Sequence, residues 1–440
     1  MVGAGWAGLA AAVGLAQAGF GVTLLEAAAQ AGGRARSLTL TFDGQPVAVD
    51  NGQHLLIGAY RSTLALVERV GLAPGAVLAR SRLRLTGPGG LDLRAAPLPA
   101  PLNLAWGLLT ARGLSAVERW AMVRAMAGLR AGGPEVITPG STVSDWLEHN
   151  RQPPGLVTRI WQPLCVGALN TPPARACAQA FAQVLRDALL ARAADADFLL
   201  PRTTLGDVLP EPALAWLRAH GARVRLRTVV RSVGLLAGGG WQAHTDAGPV
   251  TADRVVLAVP PEQVRRLLPD ALPARLRTDL AGFAHEPIAT VWLGWRERLS
   301  LPTATMLAER AEAGEHGQWL FGREPPAAGP VRSVAGVVIS AAGRSGESPD
   351  ALARGVARQV AAQLGYPSPA YARAIVDKRA TIRCSPDRPR IDTDALATTL
   401  PGLALAGDWS WHRYPATIES AVRSGDAAAT WLATGTVTRP

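Results

Sequence analysis

The first 26 residues constrain the fold more than any other stretch. Gly3-Ala-Gly5-Trp6-Ala7-Gly8 opens an apolar run from Leu9 to Ala18, which stops at Gly19. Phe20 to Glu26 then reads as a strand closing on an acid. This is the G-x-G-x-x-G turn of a dinucleotide-binding βαβ unit, with the acid at the expected distance of about 20 residues. Gly3 suits the tight turn, Gly5 lets backbone approach a pyrophosphate, and Gly8 packs helix on strand. The helix start, from Trp6 and Ala7 onward, offers free N–H groups and the positive end of a dipole to phosphates. Glu26 is placed to accept hydrogen bonds from the adenosine ribose. Only Met1 and Val2 precede Gly3, where a parallel strand usually has about five residues. A fragment, a mis-called start or a short first strand would each account for this, and the mis-called start is the reading favoured.

A chain of 440 residues has room for about two domains. Its cysteines, Cys165, Cys177 and Cys384, are scattered, and its histidines show no ligand spacing. Neither a disulfide framework nor a metal site is expected. No charge-free apolar run is long enough to span a bilayer. The nucleotide turn stands where a signal peptide would be. The expected location is the cytoplasm, with peripheral contact at the inner membrane face. The net charge of +11 comes almost wholly from arginine, spread along the chain, with Lys378 the only lysine. The densest cluster, Arg223, Arg225 and Arg227, alternates with Val224 and Leu226 as on the solvated face of a strand. Nucleic acid is therefore not an expected partner, whereas an anionic membrane surface is compatible with the charge.

Further motifs follow in order. Gly32-Gly33-Arg34 can bring backbone and a forked guanidinium against a diphosphate, and Ser37 to Phe42 reads as a strand. Val49-Asp50-Asn51-Gly52-Gln53-His54 is a polar loop between apolar segments. Ser115 to Glu118 is a capping box that opens a helix to about Gly132. That helix, and the preceding Leu98 to Leu109, mix apolar residues and tryptophan with arginine. They suit either a buried helical core or a monotopic lipid-facing surface. Val224 to Val233, Trp241 to Thr245, Val255 to Val259, Ile288 to Trp295 and Val331 to Ile339 read as strands, and Asp350 to Leu364 as a helix. Near the end, Leu403 to Gly407 runs into Asp408, and Thr417 is a plausible N-cap for a helix beginning at Ile418.

The glycine turn, Glu26, Gly-Gly-Arg34 and Asp50-Asn-Gly-Gln-His54 together resemble the flavin-binding start of the amine oxidase and phytoene desaturase superfamily. The resemblance runs nearly the whole chain and is strongest to the squalene-associated, FAD-dependent desaturases now understood as hydroxysqualene dehydroxylases. It implies an α/β fold: a discontinuous Rossmann-like FAD-binding domain (1–59, 205–265, 381–440) with an inserted α+β substrate domain (60–204, helical; 266–380, sheet and helix). It implies FAD, with Gly33 and Arg34 near the diphosphate and Gly52, Gln53 and His54 near the isoalloxazine. Val230 would meet the adenine through its backbone. Gly407 and Asp408 would lie by the ribityl–pyrophosphate region, and Thr417 would cap the helix whose Ile418 N–H meets flavin O2.

The function this implies is an FAD-dependent oxidoreductase acting on a long isoprenoid, foremost the reductive dehydroxylation of hydroxysqualene to squalene. The alternatives are a carotenoid desaturase or an amine oxidase, and a non-enzymatic flavoprotein is a further one. An amine oxidase needs an aromatic cage, and four tyrosines and six phenylalanines supply little for one, although tryptophan could substitute. A leaving hydroxyl needs a general acid, for which His54 is the choice; a structural hydrogen bond beside the flavin is its other role. A single glycine fingerprint leaves no evident NAD(P)H domain, so an external electron donor is expected.

Overall fold

The computed structural model describes residues 1–435 apart from 270, 325–328, 345, 392–395, 397 and 398. Its organising layer is a parallel sheet assembled from distant parts of the chain. Arg223–Arg225 pairs with Thr23–Leu25, and Val255–Leu257 pairs with Leu403–Leu405. Val2 bridges the two pairs, in parallel with both Leu25 and Leu257. Alternate residues serve opposite faces, as the pleat requires. Leu24, Val256 and Ala404 pack with the helix Trp6–Gln17 and the C-terminal helix Ile418–Thr434. Leu25, Leu257 and Leu405 pack instead with Val233, Trp241 and Ala243 of a three-stranded antiparallel sheet. The run expected as one strand from Val224 to Val233 is broken. After Arg225 the chain turns at Arg227 (φ +53°) and resumes at Val230–Leu235, where it pairs with Trp241–Thr245. One segment cannot serve a parallel and an antiparallel neighbour without that turn.

The other half rests on a five-stranded sheet with the order Thr305–Met306, Trp319–Gly322, Ser333–Ser340, His285–Trp295, Tyr371–Ile382. The helix Pro349–Leu364 packs against it through Leu352, Val356 and Val360. Over the other side lie helices built around Trp146, Trp161 and Phe181, whose rings meet edge to face. Residues 60–204 are not purely helical. Leu78–Ser81 pairs with Phe198–Pro201, and Arg84–Gly87 with Leu91–Arg94. These strands of four residues are too short to show a period in sequence. The capping box at Ser115 and Glu118 forms, and its helix runs Ala116–Gly132. Among the described residues no helix is long and apolar enough to cross a membrane.

Candidate active site

A cavity of about 830 Å³ runs from the glycine turn, past the loop Asn51 to Leu55, into the helical half. At its first end, Gly3 has φ +99°, and a Cβ there would lie 2.4 Å from the Ala258 carbonyl oxygen. A Cβ on Gly8 would lie 2.0 Å from the Gly3 carbonyl oxygen, so helix and turn are in backbone contact. Gly5 is different: the nearest atom to a Cβ would be the Gly33 Cα at 3.9 Å, which leaves its face open to the cavity. The helix beginning at Trp6 has no side-chain cap, so its leading N–H groups stay free for a phosphate. Glu26 is fixed across the turn, accepting from Ala4 N–H at 2.7 Å and Ala28 N–H at 2.8 Å. Val230, with Thr228 and Val229, lines the same end.

Gly32 donates to the Ala4 carbonyl at 2.8 Å, which sets Gly33 and Arg34 beside the glycine turn. Arg34 pairs with the buried Asp408 at 2.5 Å and donates to the Ala380 carbonyl at 2.9 Å. Burial alone would lower the Arg34 guanidinium, but Asp408 outweighs it and holds Arg34 above its usual value. Gly407 is held by the Ser424 hydroxyl, which accepts its N–H at 2.9 Å. Thr417 caps the C-terminal helix in a reciprocal box with Ser420. Thr417 and Ile418 line the cavity, so two helix N-termini open onto it.

Between these ends lies the polar loop. Gln53 N–H donates to Thr290 Oγ1 at 3.2 Å, which ties the loop to the substrate sheet. Gln53 Oε1 is buried without a partner. His54 Nδ1 lies 2.6 Å from the Gly52 carbonyl, and a carbonyl only accepts, so Nδ1 carries the hydrogen. Burial, then Arg34 and Arg323, lower the His54 pKa and keep the ring neutral. Beneath the loop, Asp50 is fully buried, accepts from Leu205 N–H at 2.7 Å, and faces Arg323 at 3.5 Å.

The far end is apolar, walled by Leu83, Leu85, Leu164, Phe181, Trp319 and Phe321. It carries a polar pair: Asp187 accepts from Tyr414 Oη and, at 2.6 Å, from Gln183 Nε2. Asp187 sits on a widened helical turn, Arg186–Leu190, of the kind that recurs at functional sites. Burial, then Asp187, push the Tyr414 hydroxyl up to about 12, and the Arg423 guanidinium lies 5.2 Å from its ring centre. Sequence reasoning missed both residues, which lie 227 positions apart. The cysteines do not line the cavity; Cys165 and Cys384 are buried, and burial pushes both thiols up.

The cradle fits FAD: an open face at Gly5, free N–H groups at two helix starts and an acid across the turn. The cofactor-site residues named from sequence all line this cavity except Gly8, which packs behind the turn. The profile of flavin-containing amine oxidoreductases matches residues 6–432. The hydroxysqualene dehydroxylases of Rhodopseudomonas palustris and Sinorhizobium fredii are 31% and 30% identical, each over 98% of this chain and 96% of the relative. The solved structure of a putrescine oxidase bound to putrescine shares the fold, with TM-score 0.71 at 17% identity over 98% of this chain and 97% of that one. The chain belongs to the flavin-containing amine oxidoreductase family, on the branch of its hydroxysqualene dehydroxylase relatives, and is an FAD-dependent oxidoreductase.

Proposed function

We propose that the chain reductively removes the hydroxyl of hydroxysqualene to give squalene. The observation that carries this reading is the apolar arm of the cavity, continuous with the FAD cradle and bearing a half-buried polar pair, Asp187 and Tyr414. The substrate has the same layout: a long polyene with one allylic hydroxyl at its centre. FAD, once reduced by an external donor, would supply the hydride that replaces that hydroxyl. Glu26 then serves the ribose, the Val230 backbone the adenine, and Gly5 with the N–H groups of Trp6, Ala7 and Gly8 the pyrophosphate. Gly33 and Arg34 would border the diphosphate, and Gly407 and Asp408 the ribityl–pyrophosphate region. Gly52, Gln53 and His54 flank the ring, and the helix capped by Thr417 directs its Ile418 N–H to the pyrimidine edge.

The hydroxyl must gain a proton to leave as water. His54 was the natural choice from sequence, but its one hydrogen is engaged with Gly52 and a second is disfavoured. Its part in this reading is to hold the loop beside the ring. Tyr414 is the better donor: its hydrogen rests on Asp187, and in this reading the hydroxyl turns from that carboxylate to the substrate on binding. An acid near 12 still gives its proton downhill to a departing hydroxide, whose conjugate acid lies at about 15.7. Arg423 over the ring steadies the tyrosinate, and Asp187 orients the hydroxyl. The isoprenoid enters from a membrane in peripheral contact with the protein.

The test is anaerobic. Reduced holoenzyme should reoxidise when hydroxysqualene is added, with one squalene formed per flavin. Bleaching of oxidised flavin by phytoene or a diamine, with no response to hydroxysqualene, would overturn the reading.

A further inference from the structure

Among the described residues, eight of the ten exposed large apolar side chains lie between Leu98 and Val136. They sit mainly on two consecutive helices, Leu102–Thr110 and Ala116–Gly132. Leu102, Trp106 and Leu109 recur at helical spacing and are 58%, 54% and 62% exposed. Val117 and Trp120 on the next helix are 71% and 66% exposed. The opposite faces are already used. Asn103, Gly107 and Leu108 of the first helix, and Ala121, Met122, Ala125 and Leu129 of the second, are buried. Both helices are therefore apolar on two sides, one of them without a protein partner. A patch of this kind marks an interaction surface.

Charge says what covers it. Residues 92–136 carry five arginines and three acids: Asp92 is paired with Arg84 and Arg94, Glu135 lies 3.6 Å from Arg186, and the third is Glu118. Glu118 is buried in the capping box and paired with Arg159, which leaves Arg112, Arg124 and Arg130 without an acidic partner at the patch among the described residues. Arg119 donates to the Leu109 and Ala111 carbonyls and so clips the two helices together. Arg94, Arg112, Arg124 and Arg130 are exposed around the patch. A second copy packed on the same face would bring arginine against arginine. An anionic lipid surface instead complements the rim, while tryptophan suits the boundary between headgroups and chains.

The patch is also close to the cavity. The first helix lies directly on the hairpin below it: a Cβ on Gly107 would be 2.3 Å from the Arg94 carbonyl oxygen. Leu83 and Leu85, which wall the apolar arm of the cavity, share one core with Leu93, Leu108 and Met122. We propose that this helical hairpin seats on an anionic bilayer and brings the apolar arm of the cavity to the lipid. Docking stands on the patch alone; delivery of the isoprenoid through it rests on the proposed function.

The experiment is flotation of holoenzyme with vesicles of phosphatidylcholine, with or without phosphatidylglycerol. Wild type should float with the phosphatidylglycerol vesicles. The double variant Trp106→Ser, Trp120→Ser should lose about tenfold or more in affinity at unchanged melting temperature and flavin content. Arg112→Gln with Arg130→Gln should lose the preference for phosphatidylglycerol. Wild type that stays in solution would overturn docking, as would a dimer that the tryptophan variant turns into monomer. Vesicle binding without turnover of detergent-dispersed hydroxysqualene would sink the proposed function and leave docking in place.

Discussion

Arg34 and Asp408 stand 374 residues apart in the chain and 2.5 Å apart in the structure. Their ion pair joins the second flavin motif to the last one, across the mouth of the cradle. Asp408 is 7% exposed and Arg34 38%, so the acid depends on its partner more than the base does. Arg34→Ala should therefore cost about 1–3 kcal/mol of stability, below the range for a fully buried pair, and weaken FAD binding with it. Denaturant melts with and without added FAD measure both. A variant that melts like wild type and holds FAD equally well would remove the pair from the cradle.

Glu26→Ala should weaken FAD binding by roughly 1–3 kcal/mol, the scale of a lost charge-assisted hydrogen bond. The carboxylate also fixes the Ala4 and Ala28 N–H groups, so some loss of stability should accompany it. Titration of apoprotein with FAD is the measurement. Unchanged affinity would take Glu26 out of the ribose site.

What was legible in sequence was local chemistry. The glycine turn, the strand Ser37–Phe42 and the capping box at Ser115 each depend on residues within a few positions of one another, and each formed as expected. The strand Tyr371–Ile382 was not legible, because it is an edge strand with mostly part-exposed residues and no apolar alternation. Contacts between distant segments were hidden as well. Glu419, in the first turn of the C-terminal helix, accepts from the N–H groups of Ser62 and Thr63 and anchors that helix to another. Asp187 and Tyr414 gave no signal either, since only the folded chain brings them together.

Gly425→Ala should be severe for so small a change. A Cβ there would lie 2.2 Å from the Ala7 carbonyl oxygen, where the C-terminal helix crosses the first turn of the N-terminal one. Forcing the helices apart should cost about 1–3 kcal/mol and displace the pyrophosphate-binding N–H groups. Lower melting temperature with lower flavin content is the expected pair of results. A normal value of either would show that the crossing relaxes freely.

Asp50 predicts a pH dependence. Burial raises its carboxyl from 3.8 to about 6, against the pull of Arg323. A folded value above the unfolded one means that its contribution is full below about pH 4 and is lost as pH rises towards 6. The loss is on the order of 2–3 kcal/mol. Asp50→Asn, the neutral isostere of the protonated acid, should match wild type at low pH and should lack this decline. Urea melts of both proteins between pH 4 and 7 give the difference in slope. Parallel curves would mean that Asp50 titrates normally.

The identity of the proton donor separates two side chains on the same cavity wall. His54 is neutral with its hydrogen given to Gly52, and Tyr414, on the apolar arm, gives its hydrogen to Asp187. If Tyr414 protonates the departing hydroxyl, Tyr414→Phe should slow anaerobic reoxidation by hydroxysqualene by about 10²–10⁴-fold, with FAD still bound. His54→Ala should slow it by less than about tenfold, because it removes only a brace of the loop. Both variants keep the glycine turn, Glu26 and Arg34, so flavin content serves as the control for folding. The reverse ranking, with Tyr414→Phe near wild type and His54→Ala crippled, would return the proton to His54. It would then require the ring to gain a hydrogen at Nε2 on substrate binding, despite burial and the two nearby guanidinium groups.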